Sequence, residues 1–233
     1  MKDAIKYWGI VPAAGVGKRM QADRPKQYLP LAEWTVIEQT LNRLLQVEQF
    51  SAVVVAISIE DPYWPNLAVA KHPRIYTADG GKERADSVLS ALHAISHQAN
   101  AHDWVLVHDA ARPCITAADV ENLIEQLKEH EVGGILGLAS HDTLKSVNED
   151  LAIIDTVDRN TIWRALTPQM FRYGELKNAL EEAAEKGWVV TDDASALELQ
   201  GKQPKMIAGR SDNLKITRPE DLALAEFYLE QQA

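Results

Sequence analysis

Cysteine is almost missing. Cys114 is the single one among 233 residues, which excludes an intramolecular disulfide and any zinc site built on several thiolates. Long hydrophobic runs are missing as well: no apolar stretch approaches the roughly 20 residues that span a bilayer. The opening MKDAIKYWGIVPAAG has neither the apolar stretch nor the small-residue cleavage site of a secretory signal. A cytoplasmic address with no membrane partner is therefore expected. Gly/Ser linkers, low-complexity tracts and internal repeats are absent, so residues 1–233 are expected to form a single domain. Positive charge is scarce too, with 24 Lys+Arg against 34 Asp+Glu and a formal charge of −10. That balance argues against nucleic acid, whose phosphate backbone is held by clustered Lys and Arg. It leaves open whether a small, phosphate-rich substrate can bind.

What is present is enough to build a core: 46% hydrophobic residues and 25% charged is the ordinary globular mix. Short apolar runs at Tyr7 to Pro12, Ala52 to Ser58, Asp103 to His108 and Gly133 to Ala139 read as strands covered on both faces. Helical patterns lie between them. Ile37, Leu41, Leu44 and Leu45 share one face after Thr35, which makes a capping box with Glu38. Thr116 can cap a helix carrying Val120, Leu123, Ile124 and Leu127. Thr217 with Glu220, and Pro219 in the first turn, opens a last helix through Leu222, Ala225 and Leu229. Strands alternating with helices of this length imply an α/β, mostly parallel, doubly wound sheet. Residues 141–159 break the rhythm. Two β-like stretches, Thr143–Val147 and Ala152–Val157, flank Asn148-Glu149-Asp150 and read as a projecting hairpin, with a meander on its own domain as the plainer alternative. A lone hairpin is marginal in water, so a second subunit is the natural thing for it to pack on.

Pro12-Ala13-Ala14-Gly15-Val16-Gly17-Lys18-Arg19-Met20 follows the first strand directly. Gly15 and Gly17 let the backbone approach an anion, and successive N–H groups can form an anion-binding nest. A dinucleotide fingerprint needs a small residue where Met20 stands, and a P-loop needs Gly-Lys-Ser/Thr, so both are disfavoured. The loop is basic, and Pro25-Lys26-Gln27 follows. Glycines with several cations suit a triphosphate, whose charge must be offset before an anionic nucleophile can approach. The alternative is an ordinary turn with surface cations, which the combined string GxGxRM…PKQ makes remote. The second constellation is His108-Asp109-Ala110-Ala111-Arg112-Pro113, where Asp109 sits at the carboxyl end of a strand, the usual ligand edge of an open α/β sheet. A carboxylate there suits Mg²⁺ shared with substrate phosphates. A helix cap or a pair with Arg112 is the plainer alternative for Asp109, and Arg112 reads as an orienting residue. His108 can orient the turn. The other six histidines show no ligand spacing, and Cys114 reads as a buried, reduced thiol. For Thr191 and Asp192, ligand support and a structural turn both stand.

Taken in order, VPAAGVGKRM, PKQY, DGGKERADSV, HDAARP, TVDRN, LTPQ, TDDASALE, DNLKIT and RPEDL resemble the 2-C-methyl-D-erythritol 4-phosphate cytidylyltransferases of the non-mevalonate isoprenoid pathway. The resemblance covers essentially the whole chain. It implies a Rossmann-like nucleotidyltransferase fold, a homodimer with exchanged β-arms, and Mg²⁺-dependent transfer of a cytidylyl group from CTP with release of pyrophosphate. It implies that Ala13, Ala14, Gly15, Gly17 and Lys18 wrap the triphosphate, and that Arg19 and Lys26 stabilise the transition state. It implies that Gly80, Gly81 and Ser87 read cytosine, with Lys82 at a position used only through its backbone. Asp109 and Asp212 would face metal and nucleotide. Thr143, Arg159 and Lys215 would hold the alcohol phosphate, the first two given by the arm to the partner's site. Ribitol-5-phosphate cytidylyltransferases share much of this scaffold but tend toward HDxVRP and an AGG start, which HDAARP and VPAAG do not match. A non-catalytic nucleotide-binding regulator would not need Arg19, Lys26, Arg159 and Lys215 together. The ending FYLEQQA leads to the expectation that no cyclodiphosphate synthase is fused to the chain.

Overall fold

A computed structural model describes residues 4–15 and 23–232 of the chain. In chain order the main elements are β1 (Tyr7–Pro12), β2 (Pro30–Leu31), β3 (Trp34–Thr35), α1 (Val36–Leu45), β4 (Phe50–Ile57), β5 (Ile75–Asp79), α2 (Arg84–Ala94), β6 (Trp104–Val107) and α3 (Ala117–Leu127). They continue with β7 (Gly133–Ala139), β8 (Leu144–Val147), β9 (Ile153–Val157), β10 (Trp163–Arg172), α4 (Tyr173–Lys186), α5 (Asp193–Glu198), β11 (Lys205–Ala208) and α6 (Glu220–Gln231). Seven strands form one sheet in the order β11-β7-β10-β6-β1-β4-β5. All neighbours are parallel except β10, which runs antiparallel to both β6 and β7. The mostly parallel, doubly wound sheet expected from the alternating pattern is therefore present, with one inverted strand.

The period of two along each strand sorts its side chains between two cores. Val53 and Val55 of β4 face the layer holding Ile37, Leu41 and Leu44 of α1 and Val120, Leu123 and Leu127 of α3. Val54 and Ala56 face the opposite layer, with Val88 and Leu92 of α2 and Leu176 and Leu180 of α4. These side chains are buried on both faces, which is why β4 reads as a continuous apolar run rather than an alternating one. Each fully buried Val, Leu or Ile contributes about 1.5–3 kcal/mol.

Helix starts follow the local chemistry. The Thr35–Glu38 capping box forms, with the Thr35 amide donating to Glu38 at 3.1 Å. Thr116 caps α3 as expected, with Asp119 completing the box. The last helix differs: Thr217 pairs with Asp221 rather than Glu220, its amide and hydroxyl donating at 2.8 and 2.9 Å, and Pro219 stands just ahead of α6. Asp192 caps α5, its carboxylate accepting from the Ser195 amide at 3.0 Å, so the turn role accounts for its position. The hairpin at 141–159 is a separate two-stranded sheet of β8 and β9 with no ladder to the main one. Its apolar side chains face outward: Leu151, Ile153 and Ile154 are 77%, 65% and 67% exposed.

Candidate active site

The carboxyl ends of β1, β4, β5 and β6 lie side by side because those strands are parallel neighbours. The chain leaving β1 is held there at three points. The Ala13 amide donates to the Ala56 carbonyl at 2.7 Å, the buried Gln27 amide group donates to the Ala13 carbonyl at 2.7 Å, and the Ser58 hydroxyl donates to the Ala14 carbonyl at 3.3 Å. Beyond β5, the Gly80 amide donates to the Ile57 carbonyl at 2.6 Å. A methyl group added at Gly80 would stand 2.2 Å from Ala14 Cβ, so only glycine lets these two loops touch. The Gly81 amide donates to Ser87 Oγ at 3.0 Å, and that hydroxyl donates to the Glu83 carbonyl at 3.2 Å. Ser87 thus braces the glycine turn at the start of α2.

Asp109, immediately after β6, is the centre of the arrangement. Arg84 Nε meets its Oδ1 at 3.1 Å, while Lys215 Nζ and Arg112 Nε meet its Oδ2 at 2.8 and 3.4 Å. Burial disfavours the charged carboxylate, but Arg84, Lys215 and Arg112 outweigh it and hold the carboxyl well below the usual range. The peptide beneath is fixed just as firmly. The Asp109 amide donates to Thr167 Oγ1 at 3.1 Å, and that hydroxyl lies 2.9 Å from His108 Nδ1. Burial pushes His108 down to about 4, so its ring is neutral. Nδ1 then accepts from Thr167, and Nε2–H donates to the Arg112 carbonyl at 3.0 Å. Thr167 can reach in because the β10–β7 register breaks between Ala165 and Gln169, where Pro168 has no amide for the ladder.

The loop after β11 closes the other side. Arg112 Nη1 donates to the Asn213 carbonyl and the Asn213 amide group to the Thr167 carbonyl, each at 2.8 Å. The Lys26 ammonium donates to the Ile216 carbonyl at 2.8 Å. A cavity of about 280 Å³ results, lined by Ala13, Ala14, Gly15, Lys26, Gln27, Gly81, Arg84, Ser87, Asp109 and Lys215 among others. Lys26, Arg84 and Lys215 line it, and Arg84, Lys215 and Arg112 meet at the one Asp109 carboxylate. Whole-chain charge of −10 therefore coexists with a locally cationic pocket of the size and chemistry that a nucleotide's phosphates need.

Of the residues expected from the sequence, Ala13, Ala14, Gly15, Lys26, Gly81, Ser87, Asp109 and Lys215 line this cavity, and Gly80 packs on Ala14 at its edge. Gly17, Lys18 and Arg19 lie outside the described residues. Asp212 is not brought in. Its oxygens accept from Arg210, at 3.0 Å for Nε to Oδ1, and from Gln232 at 2.9 Å, on the side where Arg210 also reaches the Thr116 cap. Thr143 and Arg159 are exposed on the arm and do not line the pocket, and Arg159 donates to the His141 carbonyl at 2.8 Å. Arg84 and Gln27 carry weight that sequence reading did not assign to them. Both sit inside quoted motifs, DGGKERADSV and PKQY, so motif membership was the available signal.

Among the described residues no group of three or more His, Cys, Asp or Glu could enclose a metal. Asp109, held ionised by its cations, offers a hard oxygen donor at the pocket, whose lining also includes Glu83. That fits Mg²⁺, which commonly takes one or two carboxylates and completes its shell with substrate phosphates and water. It does not fit a cage in which Asp212 is the second ligand.

An open α/β sheet with a cationic pocket at the carboxyl ends of its strands defines a nucleotide-handling class of protein. Comparison narrows this. The family model described as IspD: 2-C-methyl-D-erythritol 4-phosphate cytidylyltransferase matches residues 8–231. The protein of that name from Vibrio vulnificus (strain CMCP6) is 55% identical over 223 residues, covering 96% of this chain and 94% of its own. The one from Vibrio cholerae serotype O1 is 56% identical over 220 residues, covering 94% of each. The crystal structure of the Francisella tularensis enzyme superposes with a TM-score of 0.84 at 36% identity, over 96% of this chain and 99% of that one. The chain belongs to the 2-C-methyl-D-erythritol 4-phosphate cytidylyltransferase family.

Proposed function

We propose that this chain transfers the cytidylyl group of CTP to 2-C-methyl-D-erythritol 4-phosphate, releasing pyrophosphate, in the synthesis of isoprenoid precursors. The observation that carries the reading is the set of cations gathered around Asp109, beneath the glycine loop of β1. A phosphate oxygen of the alcohol phosphate attacks the α-phosphorus in line. The new P–O bond forms as the bond to the β-phosphate oxygen breaks, and the electron pair leaves with pyrophosphate. Both reactants are anions, so alignment and charge neutralisation are the main obstacles, and no strong base is required. In this reading Ala13, Ala14, Gly15, Gly17 and Lys18 cradle the triphosphate, and Gly80, Gly81 and Ser87 read the cytosine. Arg19 and Lys26 meet charge developing on the non-bridging oxygens. Losing one such donor typically costs about 3 kcal/mol of barrier.

Asp109 would hold Mg²⁺, which when bound offsets the charge of the triphosphate. Lys215, which reaches the same carboxylate at 2.8 Å, would hold the alcohol phosphate. Thr143 and Arg159 would complete the alcohol-phosphate site from the arm of a second subunit. The outward apolar side chains of the hairpin support such a homodimer. Residues 1–233 then form one domain with 141–159 as an inserted arm. No helix among the described residues is long and apolar enough to cross a membrane, and the lone buried Cys114 suits a reducing cytoplasm.

Pyrophosphate release from CTP, measured with methylerythritol phosphate and with ribitol 5-phosphate, tests the assignment. Turnover with the first and little with the second is expected. A clear preference for ribitol 5-phosphate would overturn it.

A further inference from the structure

Arg84 is the one described side chain that joins the nucleotide pocket to a fully buried charge. It opens α2, three residues before Ser87, and its guanidinium is forked between two elements. Nε meets Asp109 Oδ1 at 3.1 Å, and Nη2 meets Asp193 Oδ2 at 2.8 Å. Asp193 begins α5 and has no exposed surface. Its other oxygen, Oδ1, is buried without a hydrogen-bond partner. An unpaired buried acceptor is costly, and each one in a folded protein asks for a reason. Here the open oxygen lies on the very carboxylate that already holds one end of the Arg84 fork. A guanidinium meets a carboxylate best through two parallel N–H bonds, and only one of the two is made.

We infer that Arg84 is a positioning residue that hands Asp109 over to the incoming nucleotide and is received by Asp193. In the arrangement described, Arg84 holds Asp109 ionised and oriented. When Asp109 turns to metal-bound CTP, Arg84 closes on both oxygens of Asp193, and no charge is left stranded. The inference rests on the proposed CTP site and names what prepares its carboxylate.

The test is a double-mutant cycle read on CTP affinity by titration calorimetry in Mg²⁺, with Michaelis constants for both substrates. Asp193→Asn removes the receiving charge and should weaken CTP about tenfold while leaving the KM for the alcohol phosphate unchanged. Arg84→Gln should also weaken CTP. Adding Asp193→Asn to it should then change nothing further, because no guanidinium remains to be received. Additive losses, or unchanged CTP affinity in Asp193→Asn, would overturn the inference. So would an equal rise in both Michaelis constants, which is the mark of a merely loosened fold. Should Asp193→Asn not fold, Arg84→Lys decides: it keeps the charge and loses the fork, so wild-type CTP affinity there would overturn the handover. Wild-type protein that fails to bind CTP would instead sink the reading of the pocket itself.

Discussion

Asp109 keeps 7% of its surface exposed and is met by three cations of its own chain. Arg159, proposed to serve the same reaction, is exposed on the hairpin, where it donates to the carbonyl of His141. The two regions differ in what the single chain satisfies. Around Asp109 the carboxylate is met by three cations, the backbone is pinned by Thr167, and the neighbouring histidine is neutral. Along β8 and β9 the polar groups pair across one ladder, but Leu151, Ile153 and Ile154 point into water. A pocket of the first kind is prepared before any ligand arrives. An arm of the second kind leaves apolar side chains uncovered, and a two-stranded hairpin has little stability of its own.

The contrast is most exposed to failure in a pair of substitutions. Asp109→Ala leaves Arg112 and Lys215 without their carboxylate and Arg84 with Asp193 alone. It should cost about 3 kcal/mol in urea unfolding and lower kcat/KM by about a hundredfold or more. Arg159→Ala removes an exposed side chain, so unfolding should shift by no more than about 0.5 kcal/mol. Its KM for the alcohol phosphate should rise about tenfold or more while that for CTP holds. Equal stability losses, or an equal rise in both Michaelis constants for Arg159→Ala, would erase the distinction.

A smaller effect sharpens the comparison across subunits. Arg19→Ala protein and Arg159→Ala protein are each expected to keep about a tenth of the activity or less when the alcohol phosphate is well below its KM. If the arm serves the partner's pocket, a mixed dimer has one site with both arginines intact. Mixing should therefore restore up to about half of the activity per mixed dimer, a fraction set by how dimers re-pair. Absence of recovery, with subunit exchange shown by mass, would mean that each arm serves its own chain.

How much of this was legible in the sequence depends on how far each contact reaches along the chain. The Thr35–Glu38 box and the Thr116 cap span three residues and were readable directly. The glycine loop and Asp109 were readable because strand ends announce themselves by apolar runs. Arg84 was not, since its partners lie 25 and 109 residues away, and only folding shows that α2 opens beside both. β10 was hidden for a different reason. Thr167, Pro168 and Gln169 interrupt its apolar pattern, and those same polar residues serve the site and the α5 start. Asp212 shows the opposite case: the DNLKIT motif points it toward the metal, while in the folded chain its oxygens accept from Arg210 and Gln232.

The smallest effect tests how closed the floor under the pocket is. Cys114 packs with Leu31, Val36, Ala111, Ile216 and Ala225, and burial pushes its thiol up to about 12 from an ordinary 9.0. Between those two values the unfolded thiol ionises and the folded one does not, so unfolding releases a proton. The contribution to stability is thus intact below about pH 9 and is lost as the pH rises toward 12, by at most about 1.4 kcal/mol per pH unit. At pH 8 the native thiol is both neutral and covered. Its modification by a disulfide reagent should be at least about a hundredfold slower than that of a cysteine placed in the hairpin turn by Asp150→Cys, compared in the Cys114→Ala background. Labelling of Cys114 as fast as that of the turn would mean that the cluster joining Ala111 to Ile216 opens as readily as the arm. The pocket above it would then be no better prepared than the hairpin.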